Sequence, residues 1–250
     1  MRVLRLGNSA DSDPAVPEER RIHVVAARLF TAETGLPVDH VLRIAWPSPE
    51  LPGLMEAWLH RYEPDMVVFV VNGFWFNYQS LPLKLERTLG TWVRPLTSRA
   101  RTVSGRAELG DSAAFRFLRG LALRTIGGAT YFSPDEVLAT TEACIKVVMA
   151  RESIPIVLRG PLSPIGEGPG EGRKRSAEAR RQTVHLRLEA LSARYHAQYV
   201  GRAARMDGEE WGALGARDGL HMNADGQAHR GEAEGRGMVA AWRAGQGESQ

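Results

Sequence analysis

Near its C-terminus the chain reads Arg217-Asp218-Gly219-Leu220-His221-Met222-Asn223, and its first apolar run, Val3 to Leu6, leads into Gly7-Asn8-Ser9. A carboxylate three residues before an imidazole can hold one ring nitrogen while the other takes a proton from a hydroxyl, the arrangement that activates a serine for acyl transfer. Ser9 is placed to be that hydroxyl. A turn directly after a strand presents its side chains at the edge of a sheet. Ser9 as nucleophile, His221 as base and Asp218 as the acid that orients the imidazole are therefore the candidate catalytic residues.

Each of the three has a plainer reading alone. A serine after a strand usually caps a turn, an aspartate before glycine usually sits in one, and a loop histidine is usually satisfied locally. Their joint occurrence favours the chemical reading. His221, Asp225 and His229 recur every fourth residue and open a second chemistry, a metal-dependent hydrolase with zinc held by His221 and His229. His221 is expected to precede the helix, however, and no further ligand cluster is apparent, so no metal ligand is assigned and no cofactor is expected. His185 and His196 fall in a charged helical stretch and read as surface residues. His23, His40 and His60 have no partner at motif spacing.

The two ends of the chain resemble the first and last sequence blocks of the SGNH, or GDSL-type, hydrolases. Gly7-Asn8-Ser9 stands where that family has Gly-Asp-Ser, and Asp218 to Gly226 follows its Asp-Gly-x-His-x-Asn-x-x-Gly ending. The resemblance implies a three-layer α/β/α flavodoxin-like fold with a central, mainly parallel sheet. It also implies a serine ester hydrolase, of esterase, lipase or carbohydrate-deacetylase type, working through an acyl-enzyme on Ser9. In such enzymes oxyanion donors follow the second and third strands, and there this chain departs from the pattern. Ala45 or Ser48 is the nearest equivalent of the first donor. Asn72-Gly73 at the third strand end, or Asn77 beyond it, could supply the second, and Asn72 is preferred for its position. Losing one such donor costs on the order of 10²–10³ in rate. The altered blocks thus keep open a catalytically weak or inactive binding protein on the same fold. Asn8 replaces an acid that in the family helps to order the loop behind the serine, and its amide can still donate and accept there.

These residues need a frame, and the hydrophobic pattern supplies one. Val3 to Leu6, Val38 to Ile44, Met66 to Val71 and Ile154 to Leu158 are short β-branched runs separated by segments long enough for crossover helices, with a weaker strand near Gln198 to Val200. Met66 to Val71 is apolar without alternation, as a central strand covered on both faces should be. Ser133-Pro134-Asp135-Glu136 is a capping-box start, after which Val137, Leu138, Cys144, Ile145, Val148 and Met149 share a face. Val184, Leu188, Leu191 and Tyr195 form a similar stripe. Further helices are expected over Glu18 to Thr34, Pro52 to Tyr62 and Ala224 to Trp242. The glycine-rich run Gly166 to Gly172 reads as a flap over the active edge. Phe74-Trp75-Phe76 reads as core, with an acyl pocket as the alternative.

Length and composition bound the rest. The 250 residues, 43% hydrophobic, suit one domain over 1–250 with a lid or insertion at 78–133. The formal net charge is only +3, and all but Lys84, Lys146 and Lys174 of the 32 basic residues are arginines, scattered without an aromatic-interleaved stripe. That pattern argues against nucleic acid and leaves a small or acylated molecule as the expected partner. A single cysteine, Cys144, excludes an intrachain disulfide, and no apolar run reaches the roughly 20 residues of a membrane span. A cytoplasmic protein is expected.

Overall fold

In the computed structural model the described residues are 1–7, 11, 14–93, 95, 121, 125, 127–151, 154–161, 171–202, 208–216 and 221–247. In chain order they form β1 (Arg2–Gly7), α1 (Ile22–Thr34), β2 (Asp39–Ile44), α2 (Leu51–Tyr62), β3 (Met66–Val70), α3 (Phe74–Asn77), α4 (Leu81–Leu89), α5 (Pro134–Met149), β4 (Ile156–Arg159), α6 (Glu171–Arg194), β5 (Gln198–Val200), α7 (Gly208–Leu214) and α8 (Ala224–Gly245). The strands pair in the order β2-β1-β3-β4-β5, and every pairing is parallel. The order reverses between β1 and β3. In open α/β sheets ligands bind in the crevice beyond the carboxyl ends of the two strands at such a switch point.

Side-chain alternation divides the core into two layers. Leu4, Leu6, Val67, Phe69, Ile156 and Leu158 face α2, α5 and α6, where they meet Leu51, Met55, Leu59, Val137, Ile145, Val184 and Leu188. Val3, Met66, Val68, Val70 and Val157 face α1 and α8, meeting Ala26, Phe30, Met238 and Val239. By the same two-residue period Arg5 and Arg159 fall on the α8 face, at the carboxyl ends of β1 and β4. The apolar row there gives way to charge just where the strands end.

The helices form where their caps predict. Ser133 and Glu136 make the reciprocal capping box, and Val137, Leu138, Cys144, Ile145 and Val148 are buried. Met149 departs from expectation and is 47% exposed. It lies about 100° round the helix from Val148, beyond the buried row. A short 3-10 turn, Glu18–Arg20, precedes α1, because Arg21 is extended and separates the two. Within the stretch expected to be an insertion, Ser80 and Ala129 exchange both backbone hydrogen bonds, at 2.9 and 3.1 Å. Most of residues 94–126, including the arginine-rich run, lies outside the described residues, as does 162–170 with most of the expected flap. Among the described residues no helix is long and apolar enough to cross a membrane.

Helix α8 lies against α1 with a glycine at the contact. A Cβ on Gly231 would stand 2.6 Å from the Val25 Cβ and 2.7 Å from the Ile22 carbonyl oxygen. Neither backbone nor a β-branched carbon can yield that much without moving a helix. Gly231→Ala is therefore expected to destabilise the protein by about 1–3 kcal/mol, despite alanine's better helix propensity. Urea unfolding would measure the change, and a stabilised variant would show that the two helices can separate freely.

Candidate active site

The first loop is tied down from below. Arg5 is fully buried, and its Nε and Nη2 donate to one Asp11 oxygen at 3.1 and 2.7 Å, while Nη1 donates to Glu234 of α8. The second oxygen of Glu234 accepts from Arg159 Nη1 at 3.0 Å. Asp11 packs directly on Gly7, and any Cβ there would collide with its carboxylate. The chain is thereby fixed at Gly7 and again at Asp11, on either side of Ser9. Asn8, Ser9 and Ala10 themselves lie outside the described residues.

The C-terminal block is built around Asn223. Its side-chain oxygen accepts from Gly226 N–H at 2.9 Å and caps α8, while its Nδ2 donates to the Ala213 carbonyl at 2.7 Å and the Gly215 carbonyl at 3.3 Å. Gly215 and Met222 form an antiparallel bridge, and the His221 carbonyl accepts from Ala216 N–H at 2.8 Å, so Ala216 and His221 are held side by side. Gly226 lies against the Leu214 carbonyl, where a Cβ would not fit. The Asn and Gly of the motif thus fix the loop to the helix. His221 is half-buried at its base, and Asp218 lies outside the described residues. Arg20 beside α1 pairs with Asp225 in the first turn of α8. With Arg5 and Glu234, this pair draws the first and last motifs to the same end of the sheet.

The candidate oxyanion residues sit at the neighbouring strand ends. Asn72 is half-buried, and its Oδ1 accepts from Phe74 N–H at 3.0 Å, bracing the turn into α3, with Gly73 buried beside it. Asn77 is fully buried instead. Its Oδ1 accepts from Arg180 Nε of α6 at 3.0 Å, and its Nδ2 finds no partner. Ser48 is half-buried in the β2–α2 turn, where its side chain bonds Glu50 and holds that carboxyl below its ordinary range. The structure therefore places Asn72 at the crevice and draws Asn77 into the packing behind it. Of the aromatic run, Trp75 and Phe76 are core, whereas Phe74 stacks on Tyr78 at 4.4 Å and on Tyr131 at 5.8 Å. Trp46, 44% exposed, meets Tyr131 edge-on at 5.0 Å. These rings line the β2–β3 side of the edge.

The histidines were harder to place from sequence. His185 is not a surface residue: it is buried under β5, with Nδ1 2.7 Å from Tyr199 Oη. It follows Val184 on the face of α6 turned to the sheet, which the surrounding charges concealed. His40 and His23 do meet, ring edge to ring face at 5.6 Å, and His40 Nε2 contacts the His23 carbonyl at 3.0 Å. His196 and His60 are exposed. His221 precedes α8 and His229 is exposed within it. Among the described residues no three His, Cys, Asp or Glu side chains gather as metal ligands do. Arg5, Asp11, Glu234 and Arg159 went unnoticed in sequence. The available signals were Arg5, set between Leu4 and Leu6 inside β1, and Arg159 closing the otherwise apolar β4.

Solved structures share this fold along nearly the full chain. TesA has 15% identity, with 96% of this chain and 99% of that one covered and a TM-score of 0.54. The esterase EstA from Pseudoalteromonas has 14% identity, 98% of each chain and a TM-score of 0.52. A carbohydrate acetylesterase family member from Sinorhizobium meliloti has 12% identity, 98% of this chain and 99% of that one, and a TM-score of 0.51. No family model and no curated protein matches the sequence.

The buried charges give the fold a defined acid response. Burial raises the carboxyl of Glu234, but Arg5 and Arg159 outweigh it and hold the group below its ordinary range. Its contribution is present above the ordinary value of 4.5 and is lost as pH falls below that. His40 is pushed down to about 4 by burial first and then by Arg5, so between pH 6.5 and 4 the unfolded chain takes up a proton that the folded one refuses. Stability should therefore fall from pH 6.5 downward, and His40→Asn should reduce the part above pH 4.5, to which His23 and His185, also held below their ordinary value by burial, contribute as well. At pH 7, Glu234→Gln should cost about 3–5 kcal/mol, since it strands two buried arginines. A flat unfolding midpoint across this range would contradict both assignments.

Proposed function

We propose that this chain is a serine ester hydrolase in which Ser9 attacks the carbonyl, His221 takes and returns the proton, and Asp218 orients the imidazole. The observation that carries this reading is the tethering of both motifs to one end of a sheet whose fold the GDSL-type esterases share. Asp11 anchors the segment after β1, and Asn223 anchors the loop before α8. A carbonyl seated between them at the β1/β3 crevice would meet a hydroxyl, a base and the Asn72 amide. The turn bond to Asn72 Oδ1 occupies its oxygen and not its Nδ2, the group an oxyanion needs. Trp46, Phe74 and Tyr131 offer an apolar flank to the ester.

The chemistry conserves atoms simply. The serine oxygen adds to the carbonyl while its proton passes to His221, and the alcohol leaves with that proton. Water then repeats the cycle on the acyl-serine and releases the acid. A second reading, a binding protein on the same fold, draws on the full burial of Asn77, which leaves one amide rather than two at the edge.

A fluorophosphonate probe should label one site, Ser9, and His221→Ala should abolish labelling because the hydroxyl loses its base. Asn72→Ala should lower kcat by roughly 10²-fold with KM little changed. Turnover of short-chain esters should survive a chelator, whereas chelator-sensitive turnover would favour the metal chemistry. Folded protein that neither labels nor hydrolyses would leave the binding reading standing.

A further inference from the structure

Among the described residues the charge cluster beneath the sheet edge does not balance. Among its described members, Arg5, Arg159 and Arg230 are buried cations, against the carboxylates of Asp11 and Glu234. Arg5 engages both carboxylates and Arg159 shares Glu234, whereas Arg230 makes no ion pair among the described residues: its Nη2 donates to the Gly160 carbonyl at 2.8 Å, and Glu234 acts on it only from beyond salt-bridge range. Its Nε is shut off from solvent and finds no partner. Burial, with Arg159 adding to it, pushes this guanidinium down to about 9. Arginine does not give up its proton readily, so a buried cation with no ion pair of its own calls for a counter-ion instead.

A second unpaired group stands on the same helix. Gln227 is fully buried, and neither its Nε2 nor its Oε1 has a hydrogen-bond partner. It precedes Arg230 by three residues on α8, so the two side chains share a face. Buried amides in folded proteins are almost always bonded. Here an unbonded amide and an unbonded guanidinium N–H share one face of α8, and Arg230 reaches Gly160 at the carboxyl end of β4.

We propose that Arg230 and Gln227 form a binding site for a small monovalent anion, which accepts from Arg230 Nε and Gln227 Nε2. The anion brings the cluster to three cations and three negative charges, and the Gln227 oxygen remains to accept from water. A carboxylate and a halide share this chemistry. Neutral ligands lack the charge, and a phosphate dianion would carry one charge too many. The site stands independently of ester hydrolysis, although its place beside β4 also suits the acid that hydrolysis releases.

Thermal unfolding in sodium acetate, in sodium chloride and in a bulky sulfonate salt at equal ionic strength tests the proposal. Acetate, chloride or both should raise the Tm saturably above the sulfonate control, as a ligand of the folded state must. The acetate and chloride arms distinguish a carboxylate site from one that takes any small anion. Arg230→Met replaces the stranded charge with an apolar chain of similar reach. It should match or exceed the wild type in the sulfonate buffer and lose the anion response. Should that variant fail to fold, Gln227→Leu provides the second arm, with an anion response weakened at least several-fold in apparent affinity. Equal Tm values in all three salts would overturn the proposal, even if Gln227→Leu were destabilising, because that combination identifies a buried water. An undiminished response in Arg230→Met would overturn it as well.

Discussion

A guanidinium held between two carboxylates in the middle of a parallel sheet is the constraint on which this structure turns. Arg5 is flanked across the sheet by Leu42 and Val68, and stripping its charge of water costs several kcal/mol unless partners repay it. Asp11 and Glu234 do so, one from the first loop and one from the last helix, which lie 223 residues apart in the chain. Removing either carboxylate would leave the other partners buried and incompletely paired. The terminal segments are thus held together by a penalty for separating them as much as by an attraction.

The proposed chemistry depends on that constraint. A serine activated by an imidazole is useful only if the two remain in register, and a misplacement of about 1 Å can cost 10²-fold in rate. In this chain the residue before the serine is asparagine, and the carboxylate that steadies the loop stands two residues after the serine, on Arg5. On the other side, Asn223 and Gly226 fasten the histidine loop to α8, the helix that also carries Glu234 and Arg230. Both halves of the proposed site therefore rest on one helix.

The strands were legible because β-branched runs with a two-residue period have few alternatives, and even the three-residue β5 could be read from Gln198 to Val200. The capping box at Ser133 was equally plain, since its reciprocal bonds require those residue types at that spacing. The charge cluster was not legible, because its members come from β1, the first loop, β4 and α8, and no local pattern links them. His185 was misread for a related reason: the charges around it face outward while it faces β5. Of the candidate site, Asn72, Asn77, Ser48 and His221 could be followed into the structure. There, burial separates the two asparagines in a way that their five-residue spacing did not reveal.

In the proposed reaction Ser9 carries the acyl group. Mixing the protein with excess chromogenic acetyl ester, quenching in acid within milliseconds and mapping the peptides by mass spectrometry tests it most directly. One acetyl group is expected on the peptide containing Ser9, formed in step with an initial burst of released alcohol and absent in Ser9→Ala. Turnover at the wild-type rate in Ser9→Ala, with no acyl-peptide at any quench time, would contradict it.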